Sequence, residues 1–131
     1  NNQVDTLNLL IVMNTFKNVL EHIVVKNVSL KKWYCVVIRV SGRNVDVYIN
    51  GTIVKRHVLN DIPKQNYGSV FLNSNNGFDG SISGLKYFSK ALDIVDINKI
   101  VKKGPYLEVD KSAFVKPPYL SSDWYFDNNA L

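Results

Sequence analysis

The sequence predicts an all-β fold: an antiparallel β-sandwich followed by one short C-terminal helix and an extended aromatic tail. Val45, Val47 and Ile49 alternate with other residue types, and this period of two is typical of a strand with two different faces. Asn50-Gly51 follows directly, and both residues tolerate the positive φ angles of a type I′ hairpin turn. Residues 93–102 have the apolar spacing of a helix. A β-meander and one helix therefore define the fold class.

Two segments precede this meander. Residues 7–13 are rich in Leu, Ile and Val, which predicts a buried strand. Residues 16–25 are ambiguous, because four apolar side chains have helical spacing whereas Ile23-Val24-Val25 favours a strand. The surrounding β pattern favours the strand, and residues 27–30 are expected to form a loop.

Residues 33–40 are apolar at nearly every position, which predicts a strand covered on both faces. Trp33 is accordingly expected in the core. Cys35 is the single cysteine, so it forms no internal disulfide and is expected to be a buried, inert thiol. Residues 41–44 supply turn chemistry before the next strand.

The second half of the chain has a more irregular pattern. Residues 52–59 continue the meander, and residues 60–68 form a polar loop that contains a proline. Short strands are predicted at residues 69–72 and 81–88.

The predicted helix begins at Asp93, which is placed to act as N-cap, and ends at Gly104-Pro105. The predicted domain boundaries are therefore residues 1–104 for the sandwich and residues 105–131 for the tail. The tail is too aromatic for a free linker, so we expect it to pack on its own domain or on a neighbouring subunit. Its predicted partner-docking residues are Tyr119, Trp124, Tyr125 and Phe126.

Composition argues against several classes of function. Sixteen Lys and Arg against eleven Asp and Glu give a net charge of +5, but the basic residues are scattered and interleave few aromatics, so we expect no nucleic-acid partner. No apolar run approaches the roughly 20 residues that span a bilayer. The chain is thus expected to be a soluble domain.

The sequence also predicts no catalytic residues, no metal site and no cofactor. Glycoside hydrolysis needs a pair of carboxylates, and the two glutamates, Glu21 and Glu108, lie far apart in the sequence. His22 and His57 have no neighbouring ligands at metal-site spacing. We therefore interpret the chain as a non-enzymatic protein.

One loop is a candidate ligand site. It combines amide and carboxylate oxygens with a nearby tyrosine, and its residues are Asn73, Asn75, Asn76, Asp79 and Tyr67. Calcium would be held weakly because Asp79 carries the single charge, so a turn is the alternative interpretation of the asparagines. As a binding site, the loop would hold a sugar through polar side chains and aromatic stacking.

Several motifs together resemble the concanavalin A-like, laminin-G-like jelly-roll superfamily. They are Trp33, the hairpin Val45-Asp46-Val47-Tyr48-Ile49-Asn50-Gly51, the run Gly77-Phe78-Asp79-Gly80, Leu85-Lys86-Tyr87-Phe88 and the helix after Ala91-Leu92. The hairpin, the glycine-rich run and the aromatic tail look most like copies encoded by large double-stranded DNA viruses. In this superfamily several strands usually precede the tryptophan strand, so either the domain is reduced or further strands lie outside this sequence.

The resemblance implies two classes of function. The first is a structural or interaction module, a virion component such as a minor capsid protein, which binds other structural proteins and is assembled in the host cytoplasm. The second is a carbohydrate-binding, lectin-like module that binds glycans through the loop that contains Asn73.

Overall fold

The computed structural model describes residues 6–107. The elements are β1 Thr6–Asn14, β2 Leu20–Ser29, β3 Val36–Ser41, β4 Asn44–Ile49, β5 Thr52–Val58 and α1 Ile94–Lys103. Within these residues β1 pairs with β2 in one antiparallel sheet, and β3, β4 and β5 form a second antiparallel sheet in that order. The predicted all-β class with a short C-terminal helix is confirmed.

The ambiguous segment before the meander is a strand. β2 places Glu21, Ile23 and Val25 on its buried side, and the residues between them are exposed. This alternation has the strand period rather than the helical one. The loop predicted at residues 27–30 is wrong, because β2 continues through a bulge to Ser29 and pairs with the start of β1.

The predicted hairpin between β4 and β5 is confirmed. Asn50 and Gly51 have φ angles of 52° and 82°, as a type I′ turn requires. The Asn50 backbone N–H donates to the carbonyl of Cys35, and Asn50 Oδ1 accepts from the Cys35 N–H, both at 2.9 Å. The turn residue thus also holds the segment that leads into β3.

Three expectations for the tryptophan strand are wrong. Trp33 is 45% exposed and lies before β3, which begins at Val36. Val36 and Ile38 pair with Ile49 and Val47 and so share the core-facing side of the sheet, but they are exposed because β3 is the edge strand of this sheet among the described residues. Cys35 is half-buried rather than buried.

The core lies between the two sheets. β1 and β2 contribute Ile11, Ile23, Val25 and Val28, and the second sheet contributes Val45, Val47 and the following Leu59. Each such side chain stabilises the fold by roughly 1.5–3 kcal/mol when it is fully buried. This cluster connects the sheets as the layers of a sandwich.

Residues 69–72 and 81–88 are not strands, which corrects two predictions. Both segments have irregular backbone, and most of their side chains are exposed. A strand needs a neighbour to accept and donate its backbone hydrogen bonds, and residues 6–107 supply none for these two segments.

The predicted helix is confirmed, and it packs on the meander. Asp93 accepts a hydrogen bond from the Asp96 N–H at 2.8 Å, while Gly104 ends the helix with a φ of 70°. Ile97 is fully buried. A Cβ at Gly51 would lie 2.8 Å from Asn98 Oδ1, so the β4–β5 turn and α1 are in close contact.

Candidate functional site

The asparagine loop has the backbone of a turn. Asn73, Asn75, Asn76 and the following Gly77 all have positive φ angles between 53° and 69°. Asn73 Oδ1 also accepts a hydrogen bond from the Phe78 N–H at 3.2 Å. Left-handed backbone favours Asn and Gly, so these residue types are explained by the turn itself.

The predicted ligand residues of this loop are all exposed. A shallow hollow of about 240 Å³ lies beside them and is lined by Leu72, Asn73, Phe78, Gly80 and Ile82. Asn73 is the one predicted ligand residue in this lining, and Asn75, Asn76, Asp79 and Tyr67 lie outside it. The Tyr67 hydroxyl donates to Gln65 Oε1 at 3.1 Å, so the hydrogen bond of this tyrosine is made to a residue two positions away in the chain. Sugar binding by the loop stays a prediction.

A buried carboxylate was missed by the sequence reasoning. Glu21 lies on the inner side of β2, where His57 Nε2 approaches its Oε2 at 2.8 Å and the Asn60 N–H donates to its Oε1 at 2.8 Å. The hydrogen bond from His57, followed by that from Asn60, lowers the pKa of the Glu21 carboxyl below its usual value, against the opposing effect of burial. The period of two in β2, which groups Glu21 with Ile23 and Val25, could have revealed the inward position.

A second buried carboxylate holds the other sheet. Asp46 on β4 accepts from Arg56 Nε at 2.8 Å and Arg56 Nη2 at 3.3 Å, and from Arg39 Nη1 at 3.4 Å. The hydrogen bond from Arg56 lowers the pKa of Asp46 below its usual value, although burial acts in the opposite direction. Arg39 Nε also donates to the carbonyl of Leu92 at 2.8 Å, so the network connects the sheet to the start of α1.

The two buried carboxylates do not have the electrostatics of a general acid. A general acid at neutral pH needs a raised pKa, and the pKa values of Glu21 and Asp46 are both lowered. Each carboxylate is occupied by donors that favour its ionised form. Among the described residues, no group of three or more His, Cys, Asp or Glu side chains could hold a metal ion.

The most unusual surface lies between the meander and the helix, where large apolar side chains are open to water. We define the exposed apolar segment as residues 69–88. Its exposed members are Val70, Phe71, Leu72, Phe78, Ile82, Leu85, Tyr87 and Phe88. Phe71 is 76% exposed and Tyr87 91% exposed, and Leu72, Phe78 and Ile82 line the shallow hollow together. Soluble proteins rarely leave this many large apolar side chains of one segment open to water.

The predicted partner-docking residues Tyr119, Trp124, Tyr125 and Phe126 lie outside the described residues, and their role stays a prediction. Within the described residues, Tyr106 contacts the exposed apolar segment at Ser83. The Tyr106 N–H donates to Ser83 Oγ at 2.8 Å, and the Ser83 hydroxyl donates to the Tyr106 carbonyl at 3.1 Å. Across residues 6–107, no helix is long and apolar enough to span a bilayer.

Comparison with known proteins relates this fold to a family. The family model of laminin G type, described as the concanavalin A-like lectin/glucanases superfamily, matches residues 3–98. Among solved structures, an S-layer domain-containing protein from Clostridium thermocellum is similar, with a TM-score of 0.44 and 18% sequence identity. The match covers 72% of this chain and 50% of that one, so this chain spans about half the length of the solved protein. The comparison with curated proteins finds no match.

Proposed function

The chain belongs to the concanavalin A-like lectin/glucanases superfamily, and from this premise we propose that it is a non-enzymatic structural or interaction module that docks on other structural proteins of an assembly. The exposed apolar segment is the observation that carries this proposal. Phe71 and Tyr87 are each more than three-quarters exposed. Burying one such side chain at an interface stabilises a complex by roughly 1.5–3 kcal/mol. Contact between this surface and a partner would therefore be favourable in free energy.

The buried polar groups agree with a scaffold role. Glu21 and Asp46 are held by His57 and by arginines on neighbouring strands, where they connect elements of the fold. Buried and fully paired carboxylates of this kind stabilise one arrangement of the sheets, because leaving either partner alone would be costly. The docking surface is therefore carried on a stabilised framework.

We further propose that the assembly is a virion. The chain would be a component such as a minor capsid protein of a large DNA virus, assembled in the host cytoplasm. The support is the sequence resemblance carried by the hairpin that ends at Asn50-Gly51 and by the run from Gly77 to Gly80. Mass spectrometry of salt-washed, purified particles tests this assignment. Absence of the chain from such particles would refute the virion role.

Docking by the exposed apolar segment is tested with two matched double variants. Phe71→Ser with Tyr87→Ser removes the two most open aromatic side chains of the segment. Leu20→Ser with Val95→Ser changes two other exposed apolar side chains, on β2 and α1. Each tagged variant is mixed with structural proteins solubilised from particles, and co-sedimentation is measured after circular dichroism has verified folding. We expect the first variant to lose co-sedimentation and the second to keep it. Equal behaviour of the two would contradict docking through this segment.

A carbohydrate-binding function is the second proposal. The superfamily description includes lectins, and Tyr67 is 88% exposed, so one ring face is accessible for stacking on a sugar. A glycan array on the wild type and on Tyr67→Ala tests it. Binding that Tyr67→Ala abolishes would support the module as a lectin, and an array at background level would exclude it.

A further inference from the structure

A groove between the two sheets forms a second surface that the proposed function does not use. It has a volume of about 470 Å³ and is lined on one side by residues 24–29 of β2. Val54 and Lys55 of β5 contribute to the other side. Ligand sites have volumes of roughly 300–1,000 Å³. The groove is therefore large enough for an aromatic side chain with its neighbours.

The groove combines positive charge with apolar surface. Lys26, Lys32 and Lys55 line it, and none of them has an ion-pair partner among residues 6–107. Val25 and Tyr34 belong to the same lining and pack in or against the core. An apolar lining under unpaired positive charges fits a segment with both aromatic and acidic side chains.

Two β-bulges lie in this lining. Leu7 pairs with Val28 and Leu9 with Val25, so β2 has one residue more than β1 in this interval. In the second sheet, successive β4 residues pair with Lys55 and Ile53, which leaves Val54 as the extra residue of β5. A bulge interrupts the regular ladder and leaves backbone groups unpaired. Each wall of the groove thus contains a bulge, where the regular strand pairing is interrupted.

We propose that residues 121–131 of the same chain bind in this groove. This segment contains Trp124, Tyr125 and Phe126 between Asp123 and Asp127, and it has no Lys or Arg. Residues 108–131 have four acidic and two basic residues, a net charge of −2, whereas residues 1–107 have a net charge of +7. The acidic aromatic segment and the basic apolar groove are complementary in charge and in polarity.

The chain is long enough for this contact. Tyr106 is held at Ser83 by two hydrogen bonds, and fourteen steps of chain connect Leu107 to Ser121. Fully extended, they span about 46 Å, whereas a domain of about 100 residues has a radius of gyration near 13 Å. Because a tether raises the local concentration to the millimolar range, binding within one chain prevails over binding between copies at ordinary concentrations.

Carbodiimide cross-linking of the full chain tests where the segment binds. This reagent joins a lysine to a carboxylate that touches it, and mass spectrometry identifies the joined residues. We expect Asp123 and Asp127 to be joined to Lys26, Lys32 or Lys55 in the monomer band. The exposed control lysines Lys86, Lys90 and Lys99 should give a cross-linking yield about tenfold lower. They form no ion pairs with the bound segment, and a few surface ion pairs together change the population of a contact by about that factor. Equal yields at control lysines, groove cross-links confined to dimers, or no groove cross-links would each overturn the proposal.

Fluorescence of Trp124 in the Trp33→Phe background tests whether the charges of the groove lysines stabilise the bound segment. This measurement does not use the lysines as reactive groups. We expect Trp124 to be protected from acrylamide, and the triple variant K26E/K32E/K55E to lose this protection. The matched variant K86E/K90E/K99E makes the same change of charge elsewhere and should keep it.

Adding D123K/D127K to the groove variant should restore the protection, because the charges are then exchanged. Protection that is equal in the groove variant and its control, or a failure of the exchange to restore it, would overturn the proposal. Neither experiment uses a docking partner, so this inference fails or holds separately from the proposed function.

Discussion

Replacing Asp46 with asparagine tests whether the charged network of the second sheet stabilises the fold. Asp46 lies on the central strand β4, and its side chain is 2% exposed. The substitution keeps the size of the side chain but removes the charge that holds Arg56 and Arg39. Because Arg39 also donates to the Leu92 carbonyl, the change weakens the contact between the sheet and the start of α1 as well.

The expected loss of stability follows from the bond lengths. The 2.8 Å bond from Arg56 dominates, because the bonds at 3.3 and 3.4 Å are longer than charge-assisted hydrogen bonds prefer. A hydrogen bond to a charged group contributes about 1.5–3 kcal/mol. Both arginines reach solvent, which places the loss near 2 kcal/mol and lowers Tm by about 10 °C for a domain of this size. Urea unfolding followed by circular dichroism measures it, with the exposed Asp79→Asn as control.

Acid unfolding provides the second part of this test. The pKa of Asp46 is lowered in the folded state, so its contribution is present at neutral pH and is lost as the pH falls below about 4 through the folded-state pKa. Asp46→Asn should therefore lose less stability than the wild type as the pH falls below about 4. The reasoning is refuted if the variant and the wild type have the same free energy of unfolding at pH 7, or the same loss on acidification.

Three further predictions concern the other contacts. Glu21→Gln should lower the free energy of unfolding at pH 7 and lower it by less as the pH falls below about 4.5, because the pKa of Glu21 is lowered in the folded state and its contribution is lost as the folded carboxylate is protonated; equal destabilisation in urea at pH 7 and at acid pH would contradict this. Gly51→Ala should destabilise by about 1–3 kcal/mol, because alanine is strained at a positive φ and its Cβ would approach Asn98 Oδ1; in thermal unfolding Asn98→Ala should recover the part due to this approach and no more. Asp93→Ala should cost about 1 kcal/mol by removing the N-cap, and Asp93→Ser should restore it; amide exchange in the first turn of α1 measures this, and unchanged exchange in the alanine variant would count against the cap.

Local features were predictable from the sequence. The Asn50-Gly51 turn and the caps of α1 at Asp93 and Gly104 depend on the conformations that a few adjacent residues tolerate. These features could be identified because the interactions that produce them join residues close together in the chain.

Contacts between distant residues could not be predicted in the same way. Glu21 meets His57 across 36 positions, and Arg39 meets Leu92 across 53. Hydrophobic periodicity says which side of a strand faces inward, but it does not say which polar partner lies opposite. In the candidate ligand loop, a local pattern suggested a site that the structure explains differently. Its asparagines are accounted for by the left-handed backbone of a turn.

By itself, the sequence determined the all-β class, the hairpin turn, the terminal helix and the motifs of the superfamily. The tertiary structure alone decided that Trp33 is half-exposed, that residues 69–88 form no strand, and that lysines from both sheets meet in one groove. An apolar run has the same pattern whether or not another layer covers it. Burial depends on what packs against a residue, and that is settled only when the sheets and the helix come together.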